Sequence, residues 1–230
     1  MNFPDNHRVQ AAAKEVLHEL AGMITAQSTE RTIAVTAARM LAKRGFPNTW
    51  YYDCPALVLL GNRTCESVSG RSYKPNDLPV GLHGLITVDL SPADGPFWGD
   101  CARGYYVENG VAVFPPTDPD FADGHHMQIL LHTEMKRVVN RQTTFKELFH
   151  LATEIIEREG YENLDFLDNL GHSITQRLED RSYIEAGNRR LLSEVPCFTF
   201  EPHIHKRGGA WGFKHENIYY FDENERVAEL

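Results

Sequence analysis

Ile86-Thr87-Val88-Asp89-Leu90 and Gly99-Asp100-Cys101-Ala102-Arg103 are the two stretches that decide how this chain folds. The first is an apolar strand that contains Asp89, and the second places Asp100 immediately before another strand. A carboxylate in such apolar surroundings is costly unless it is paired, hydrogen-bonded or bound to a metal. Two carboxylates at the ends of neighbouring strands can converge on one point. The alternative is a structural role, in which an Asp pairs with Arg103 or caps a turn.

Apolar segments on either side of these aspartates predict the rest of a sheet. They are short, rich in aliphatic and aromatic residues, and bounded by turn residues. Asn109-Gly110 is a strong hairpin signal between two of them. The predicted strands are residues 56–60, 84–90, 105–107, 111–114, 198–200 and 218–221.

Two helices are predicted before the sheet. The first is indicated by apolar residues that recur at steps of three and four and therefore share one helix face. These residues are Val9, Ala13, Val16, Leu20 and Met23. The second helix is expected to be capped by Ser28, with Glu30 in its first turn, and to end at Gly45.

Two more helices are predicted after the hairpin. Pro115, Pro116 and Pro119 indicate a loop, which is followed by a helix over residues 124–139. The next helix, residues 144–159, begins with the capping-box pattern of Thr and Glu at positions 144 and 147. Helices, strands, helices and strands in this order predict an α+β fold with a largely antiparallel sheet.

Length and composition restrict the class of protein. A chain of 230 residues is an ordinary size for one domain, so we expect residues 1–230 to form a single domain. The net charge of −9 argues against nonspecific nucleic-acid binding, which needs a basic surface. The sequence has no apolar run long enough to cross a membrane and no secretory signal at Met1-Asn2-Phe3-Pro4-Asp5, so a cytoplasmic location is expected.

Three further segments carry residues with metal-binding chemistry. Gly171-His172 follows a helix and a loop, Glu201 ends an apolar strand directly before Pro202, and Glu216 begins another apolar strand. Each has a structural explanation when taken alone, because a lone histidine is more often a satisfied structural residue than a ligand. Together with Asp89 and Asp100, they provide four carboxylates and one imidazole in an order that no single structural explanation covers.

This pattern resembles the methionine aminopeptidase, proline aminopeptidase and creatinase group of "pita-bread" metallopeptidases. The marks of that group are two Asp eleven positions apart, a Gly-His element, a Thr-x-Glu-Pro element and a final Glu before an apolar strand. The resemblance extends over nearly the whole chain, from about His7 onward. Its matching positions are Asp89, Asp100, Gly171-His172, Thr199-Phe200-Glu201-Pro202 and Glu216.

The resemblance implies a pita-bread fold, a curved antiparallel sheet flanked by helices, with two divalent metal ions as cofactors. Asp89 would chelate one ion, Asp100 and Glu216 would bridge the two, and His172 and Glu201 would complete the other. His172 and Glu201 would also be the catalytic residues, with Glu201 as the proton shuttle. Such ligands suit manganese, cobalt, iron or zinc.

The sequence departs from this group where substrate is contacted. Peptidases of the group usually carry a second histidine after the Gly-His element and another upstream of the first Asp. Here residues 173–180 and 64–73 contain none. Arg71, His203 and His205 are candidate substrate-binding replacements, although a solvated loop is the alternative explanation for both histidines. The extra N-terminal domain of creatinase and proline aminopeptidases is also expected to be missing.

Three functions remain open at this point. The first is a metal-dependent hydrolase, specifically an aminopeptidase of the Xaa-Pro or methionine type, acting on short peptides. The second is an enzyme that uses the same metal core on a non-peptide small molecule, in a biosynthetic or catabolic pathway. The third, disfavoured because all five ligands are present, is a non-catalytic binding module.

Overall fold

The computed structural model describes residues 4–230, so the expectation drawn from Met1-Asn2-Phe3 lies outside the described residues. Four α-helices form two pairs, one in each half of the chain. None of the helices in the described range is long and apolar enough to cross a membrane. The helices are α1 (Pro4–Ala21), α2 (Glu30–Lys43), α3 (Pro119–Val138) and α4 (Phe145–Arg158).

The strands are short, and every pairing between them is antiparallel. In chain order they are β1 (Asn48–Thr49), β2 (Ala56–Leu60), β3 (His83–Leu90), β4 (Pro92–Asp94), β5 (Phe97–Trp98), β6 (Cys101–Glu108), β7 (Val111–Val113), β8 (Tyr161–Asn163), β9 (Ser173–Ile174), β10 (Cys197–Phe200), β11 (His203–Lys206), β12 (Gly212–Lys214), β13 (Asn217–Phe221) and β14 (Val227–Glu229).

These strands form four sheets, two of which carry the aspartates and glutamates of interest. One has the order β2-β3-β6-β7, and the other has the order β14-β13-β10-β9. They are joined by a bridge between Ala102 of β6 and Glu216, in which each backbone N–H bonds to the other's carbonyl. The two smaller sheets are β1-β4-β5 and β12-β11-β8. The bridge therefore holds residues more than a hundred positions apart beside each other.

Each helix pair covers its own part of the sheets with a hydrophobic core. Side chains of α1 and α2, including Leu20 and Leu41, pack with Ile86 of β3. Side chains of α3 and α4, including Phe121 and Phe145, pack with strands of the second half of the chain. Burial of such large apolar side chains stabilises a fold by ~1.5–3 kcal/mol each.

The predicted helices are confirmed, with corrections at their ends. Residue Thr29, rather than Ser28, caps α2 and exchanges side-chain bonds with Thr32. Met23 does not share the buried face of α1, because it lies beyond the end of that helix and is 54% exposed. α3 begins at Pro119, five residues earlier than predicted, because proline is accommodated in the first turn and Asp118 caps it.

Two other local predictions are confirmed. Thr144 and Glu147 form the reciprocal capping box of α4. The hairpin turn at Asn109-Gly110 connects β6 to β7, and both turn residues have positive φ, as a two-residue turn of this kind requires.

Candidate metal centre

The first two acidic side chains are brought together by the β3–β6 ladder. Asp89 lies in β3, and Asp100 comes directly before β6, whose first residue pairs with Leu90. Gln10 of α1 fixes the Asp100 backbone from the other side. Its amide nitrogen donates to the Asp100 carbonyl at 2.9 Å, and its amide oxygen accepts from the Asp100 N–H at 2.8 Å. Gln10 is fully buried, so α1 is part of what positions this carboxylate.

His172 is held by backbone contacts that require the glycine before it. Gly171 has φ +144°, and a Cβ at this position would lie 2.3 Å from the Thr199 carbonyl oxygen. The His172 N–H donates to Thr199 Oγ1 at 2.9 Å, and the Thr199 N–H donates to the His172 carbonyl at 2.7 Å. His172 Nδ1 lies 3.1 Å from the Ser173 carbonyl. Donation from Nδ1–H to that oxygen leaves Nε2 free to bind a metal.

The two glutamates come from strand ends in the second half of the chain. Glu201 follows β10, and its backbone N–H donates to the Leu170 carbonyl at 2.9 Å. Its Oε1 accepts from Thr199 Oγ1 at 3.1 Å. Glu216 lies between β12 and β13, is 1% exposed, and is fixed by the backbone bridge to Ala102. All five side chains predicted from the sequence to bind metal are therefore near one another.

Their ligand atoms form two groups that share one residue. Asp100, His172 and Glu216 make up the first group. Asp89, Glu201 and Glu216 make up the second, and within each group the atoms lie within 4.8 Å of one another. His172 Nε2 is 3.4 Å from Asp100 Oδ2 and 3.6 Å from Glu201 Oε1. Glu216 therefore occupies the shared position that a bridging carboxylate would need.

Lys214 is a residue of the carboxylate cluster that was not predicted from the sequence. Its Nζ lies 2.6 Å from Asp89 Oδ2, 3.0 Å from Glu201 Oε2 and 3.7 Å from Glu216 Oε2. A signal was available, because residues two apart in extended backbone project to the same side, and Lys214 precedes Glu216 by two. Asp89 pairs with this lysine, whereas Arg103 donates to backbone carbonyls and to Asn217 instead.

The protonation of the acidic side chains reflects their burial. Burial raises the pKa of Asp100 to about 7, and it raises the pKa of Asp89 as well. Burial and the neighbouring carboxylates raise the pKa of Glu216 well above its ordinary value. Glu201 differs, because Lys214 and His172 outweigh the effect of burial and lower its pKa.

The donor set fits divalent metal ions. Asp100 Oδ2 and both carboxylate oxygens of Glu216 are buried and accept no hydrogen bond within the described range, 4–230. Four carboxylates are offset by one ammonium, that of Lys214, so strong negative charge is concentrated in a small volume. Cations that coordinate oxygen and imidazole would satisfy these atoms, which otherwise remain unpaired at a considerable cost.

A cavity of about 490 Å³ opens onto the carboxylates and has a mixed aromatic and basic wall. Trp50 and Tyr183 each stack against Arg181, whose guanidinium carbon is 5.6 Å and 5.2 Å from the respective ring centres. Arg71 lies over Tyr52 in the same way, at 4.6 Å. Arg181 was not predicted from the sequence, because nothing local distinguishes it from the neighbouring charged residues.

His203 and His205, the candidate substrate-binding histidines, lie in the same strand but have different surroundings. Both are in β11, so the explanation that they belong to a solvated loop is wrong. His203 is buried, lines the cavity, and has Nε2 2.7 Å from the Thr64 carbonyl. Burial lowers the pKa of His203 to about 4, so the ring is neutral near pH 7. His205 pairs with Glu162 and is not among the residues that line the cavity.

The antiparallel sheets flanked by two helix pairs define the pita-bread fold, and the buried carboxylate–histidine cluster is its candidate metal site. The sequence pattern of metallopeptidase family M24 matches residues 6–223, and the chain belongs to this family. It is 23% identical over 201 residues to the probable dipeptidase PepE of Mycobacterium tuberculosis. That alignment covers 87% of this chain and 49% of the relative, so the chain spans about half the length of the curated relatives it matches.

Solved structures show the same fold. The X-Pro aminopeptidase from Thermotoga maritima superposes with a TM-score of 0.78 at 21% identity, covering 96% of this chain and 58% of that one. The dipeptidase from Pyrococcus horikoshii superposes with a TM-score of 0.81 at 15% identity, covering all of this chain and 60% of that one. The pita-bread fold expected from the sequence is confirmed by these likenesses.

Proposed function

We propose that this chain is a hydrolase that cleaves short peptides, using two divalent metal ions held by Asp89, Asp100, His172, Glu201 and Glu216. The observation that carries the proposal is the convergence of these five side chains, with Glu216 common to both groups of ligand atoms. Membership of metallopeptidase family M24 supports it. Bound ions would supply a Lewis acid that polarises a substrate carbonyl and lowers the pKa of a water molecule. Manganese, cobalt, iron and zinc are the candidate metals.

The protein's own residues have distinct roles in this proposal. Glu201 is the proton shuttle, since its lowered pKa keeps it ionised near neutral pH and Thr199 orients its carboxylate. His172 is a ligand whose ring orientation is fixed by Ser173. Neutral His203 donates to the Thr64 carbonyl through Nε2–H, which leaves Nδ1 as a hydrogen-bond acceptor. We therefore assign His203 to accept from a substrate N–H.

The wall of the cavity favours a short substrate with a free carboxylate. Arg71 and Arg181 are the basic residues that line it near the carboxylate cluster, together with Lys214. Lys214 is engaged by Asp89 and Glu201, so the two arginines remain to bind the C-terminal carboxylate of a dipeptide or tripeptide. Specificity for Xaa-Pro or for N-terminal methionine depends on the shape of the pocket, and the peptide panel described below measures it. The cytoplasmic location and the absence of nucleic-acid partners stay predictions.

An alternative within the same chemistry is hydrolysis of a non-peptide amide. It is favoured by the absence of histidine from residues 64–73 and 173–180, the places where peptidases of this kind usually carry one. A non-catalytic binding module is less well supported, because none of the five metal ligands is lost.

A metal-content measurement and a peptide panel test the proposal together. Protein reconstituted with Mn²⁺ or Co²⁺ should bind about two equivalents and hydrolyse at least one of the N-terminal Met, Xaa-Pro or other dipeptides. Asp100→Asn should lower both metal content and turnover. The control is Glu157→Gln, at an exposed glutamate of α4, which should change neither quantity. Less than one equivalent of metal would refute the metal centre. Two equivalents without hydrolysis of any peptide would refute the peptidase and leave the non-peptide amide.

A further inference from the structure

A second cavity of about 630 Å³ borders the segment that carries Glu216, since the neighbouring residues Lys214, His215 and Asn217 line it. It is also lined by residues of α1, α3 and the β6–β7 hairpin, and it opens to solvent. Lys214 lines both this cavity and the one at the metal centre. A cavity of this size is large enough for a small organic molecule.

The charges around the second cavity are mostly positive, in a protein whose net charge is −9. Lys14 is paired with Glu229 at 2.8 Å, and Lys214 is paired with carboxylates of the metal centre. The two other cations of the lining, Arg103 and Lys136, have no carboxylate partner within residues 4–230. Two unpaired cations beside one cavity indicate that it favours an anion.

Arg103 has unused hydrogen-bonding capacity. Its Nη1 donates to the carbonyls of Ala102 and Glu216, and its Nη2 donates once, to Asn217 Oδ1. A guanidinium carries five N–H groups, so two of those of Arg103 have no partner within the described part of the chain. Burial, together with the charges of Arg103 and Lys136, lowers the pKa of His132 to about 3, and His132 is another residue of this lining.

The remainder of the lining is largely apolar. Val113, Phe114 and Ile129 contribute aliphatic and aromatic surface, and Tyr105 and Tyr106 contribute rings from β6. Phe114 is 77% exposed and Ile129 is 50% exposed, so apolar surface is accessible to a ligand from solvent. An anion without an apolar body would leave this surface in water and would therefore gain less free energy on binding.

We propose that the second cavity binds a small organic acid, with its anionic group on Arg103 and Lys136 and its aliphatic or aromatic body on Val113, Phe114 and Ile129. The ligand would be bound independently of the peptide cavity. Because Arg103 also donates to the Glu216 carbonyl, an occupied cavity would contact the segment that holds the shared metal ligand.

Fluorescence titration with 8-anilinonaphthalene-1-sulfonate tests this site on the full chain reconstituted with Mn²⁺. The dye carries one sulfonate on an aromatic body. It should bind the wild type with a saturable binding isotherm. Lys136→Met should raise the dissociation constant about fivefold, the upper end of the range for losing one exposed charge pair. Ile129→Glu should weaken binding at least as much. Lys43→Met, at an exposed lysine of α2, should leave the dissociation constant unchanged.

A competition experiment separates the anionic requirement from simple hydrophobic binding. 4-Phenylbutyrate should displace the dye, whereas the neutral 4-phenylbutanol should displace it at least tenfold less well. Circular dichroism of each variant establishes that it is folded. Equal dye binding by wild type, Lys136→Met and Ile129→Glu would overturn the proposal, as would equal competition by the alcohol or no binding at all.

Arg181→Met distinguishes this cavity from the catalytic one. Unchanged dye binding in that variant supports the second cavity, and loss of binding places the dye at the metal centre and overturns the proposal. Metal content and peptide hydrolysis are measured separately, so failure of the organic-acid site leaves the proposed peptidase intact and the reverse also holds.

Discussion

The ammonium nitrogen of Lys214 lies 2.6 Å from Asp89 Oδ2, inside the group of carboxylates that is expected to hold metal. The same nitrogen is 3.0 Å from Glu201 Oε2, so one lysine contacts two candidate ligands. An ammonium in this position stabilises the negative charge of the carboxylates. It also repels any divalent cation that binds beside it.

Replacing Lys214 with Met should therefore strengthen metal binding. We expect about tenfold tighter binding of Mn²⁺ by calorimetry, since the repulsion between ammonium and dication is removed, together with a lower Tm of the metal-free protein. Lys43→Met is the matched control on the surface of α2. Weaker metal binding by Lys214→Met would show that the lysine orders the carboxylates more than it opposes the metal.

The stability of the metal-free protein should depend on pH through Asp100. Burial raises the pKa of this carboxyl from 3.8 to about 7, so the folded chain binds its proton more tightly than the unfolded chain does. The resulting stabilisation is fully present below about pH 4 and is lost as the pH rises to about 7. Glu216 shifts in the same direction.

Urea unfolding of protein treated with chelator, at about pH 5 and about pH 8, measures this loss. The protein should be less stable at the higher pH, and added Mn²⁺ should restore stability there. Asp100→Asn should show a smaller difference between the two pH values. A metal-free wild type that is more stable at about pH 8 than at about pH 5 would contradict the assignment.

Gly171→Ala should disrupt the site through the backbone. The added Cβ would lie 2.3 Å from the Thr199 carbonyl oxygen, at a φ of +144°. We expect a loss of about 2–4 kcal/mol in the free energy of unfolding, with a parallel loss of bound metal because His172 moves. Gly187→Ala provides the control, since a Cβ at Gly187 meets no atom within 4 Å. Similar urea midpoints for the two variants would argue against the clash.

Gln10→Ala should weaken a metal site to which Gln10 contributes no ligand. The substitution leaves the buried N–H and carbonyl of Asp100 without their partners, which costs about 1–3 kcal/mol for each unsatisfied group. Thermal unfolding should show the loss of stability, and metal titration should show reduced affinity. Gln27→Ala, at an exposed position, should change neither quantity.

Glu201→Gln should abolish turnover while the chain remains folded. Glutamine keeps the size of the side chain but cannot accept a proton, and positioned acid–base groups contribute roughly 10²–10⁴-fold to rate. The measurement is kcat on the best peptide of the panel, with circular dichroism as the folding check. Full turnover in this variant would remove Glu201 from the mechanism.

Local chemistry made much of this fold predictable. The capping box of Thr144 and Glu147 and the hairpin at Asn109-Gly110 depend only on neighbouring residues, and both are confirmed. Apolar runs predicted the strands because a buried strand needs them. The five candidate metal ligands were predicted from their chemistry and from the family resemblance, and the structure brings their side chains together.

Two of the missed features, the start of α3 and Lys214, had a local signal, and the others depend on tertiary contacts. Pro119 was predicted to be part of a loop, yet it begins α3 because Asp118 caps the first turn. His203 resembles a loop residue in the sequence, but β11 pairs with both β8 and β12 and buries it. Arg181 reaches the cavity through stacking on Trp50, a residue far away in sequence. No local pattern carries the information for His203 or Arg181.

The bridge between Ala102 and Glu216 has a consequence for protein synthesis. Asp89, Asp100, His172 and Glu201 all leave the ribosome before Lys214 and Glu216. Until β12 pairs with β11 and β13 pairs with β10, the shared carboxylate and the lysine that offsets the others are not held in place. The cluster is therefore assembled only after residues 214–216 have been synthesised, and a product that terminated before them would carry Asp89, Asp100, His172 and Glu201 without Lys214 and Glu216.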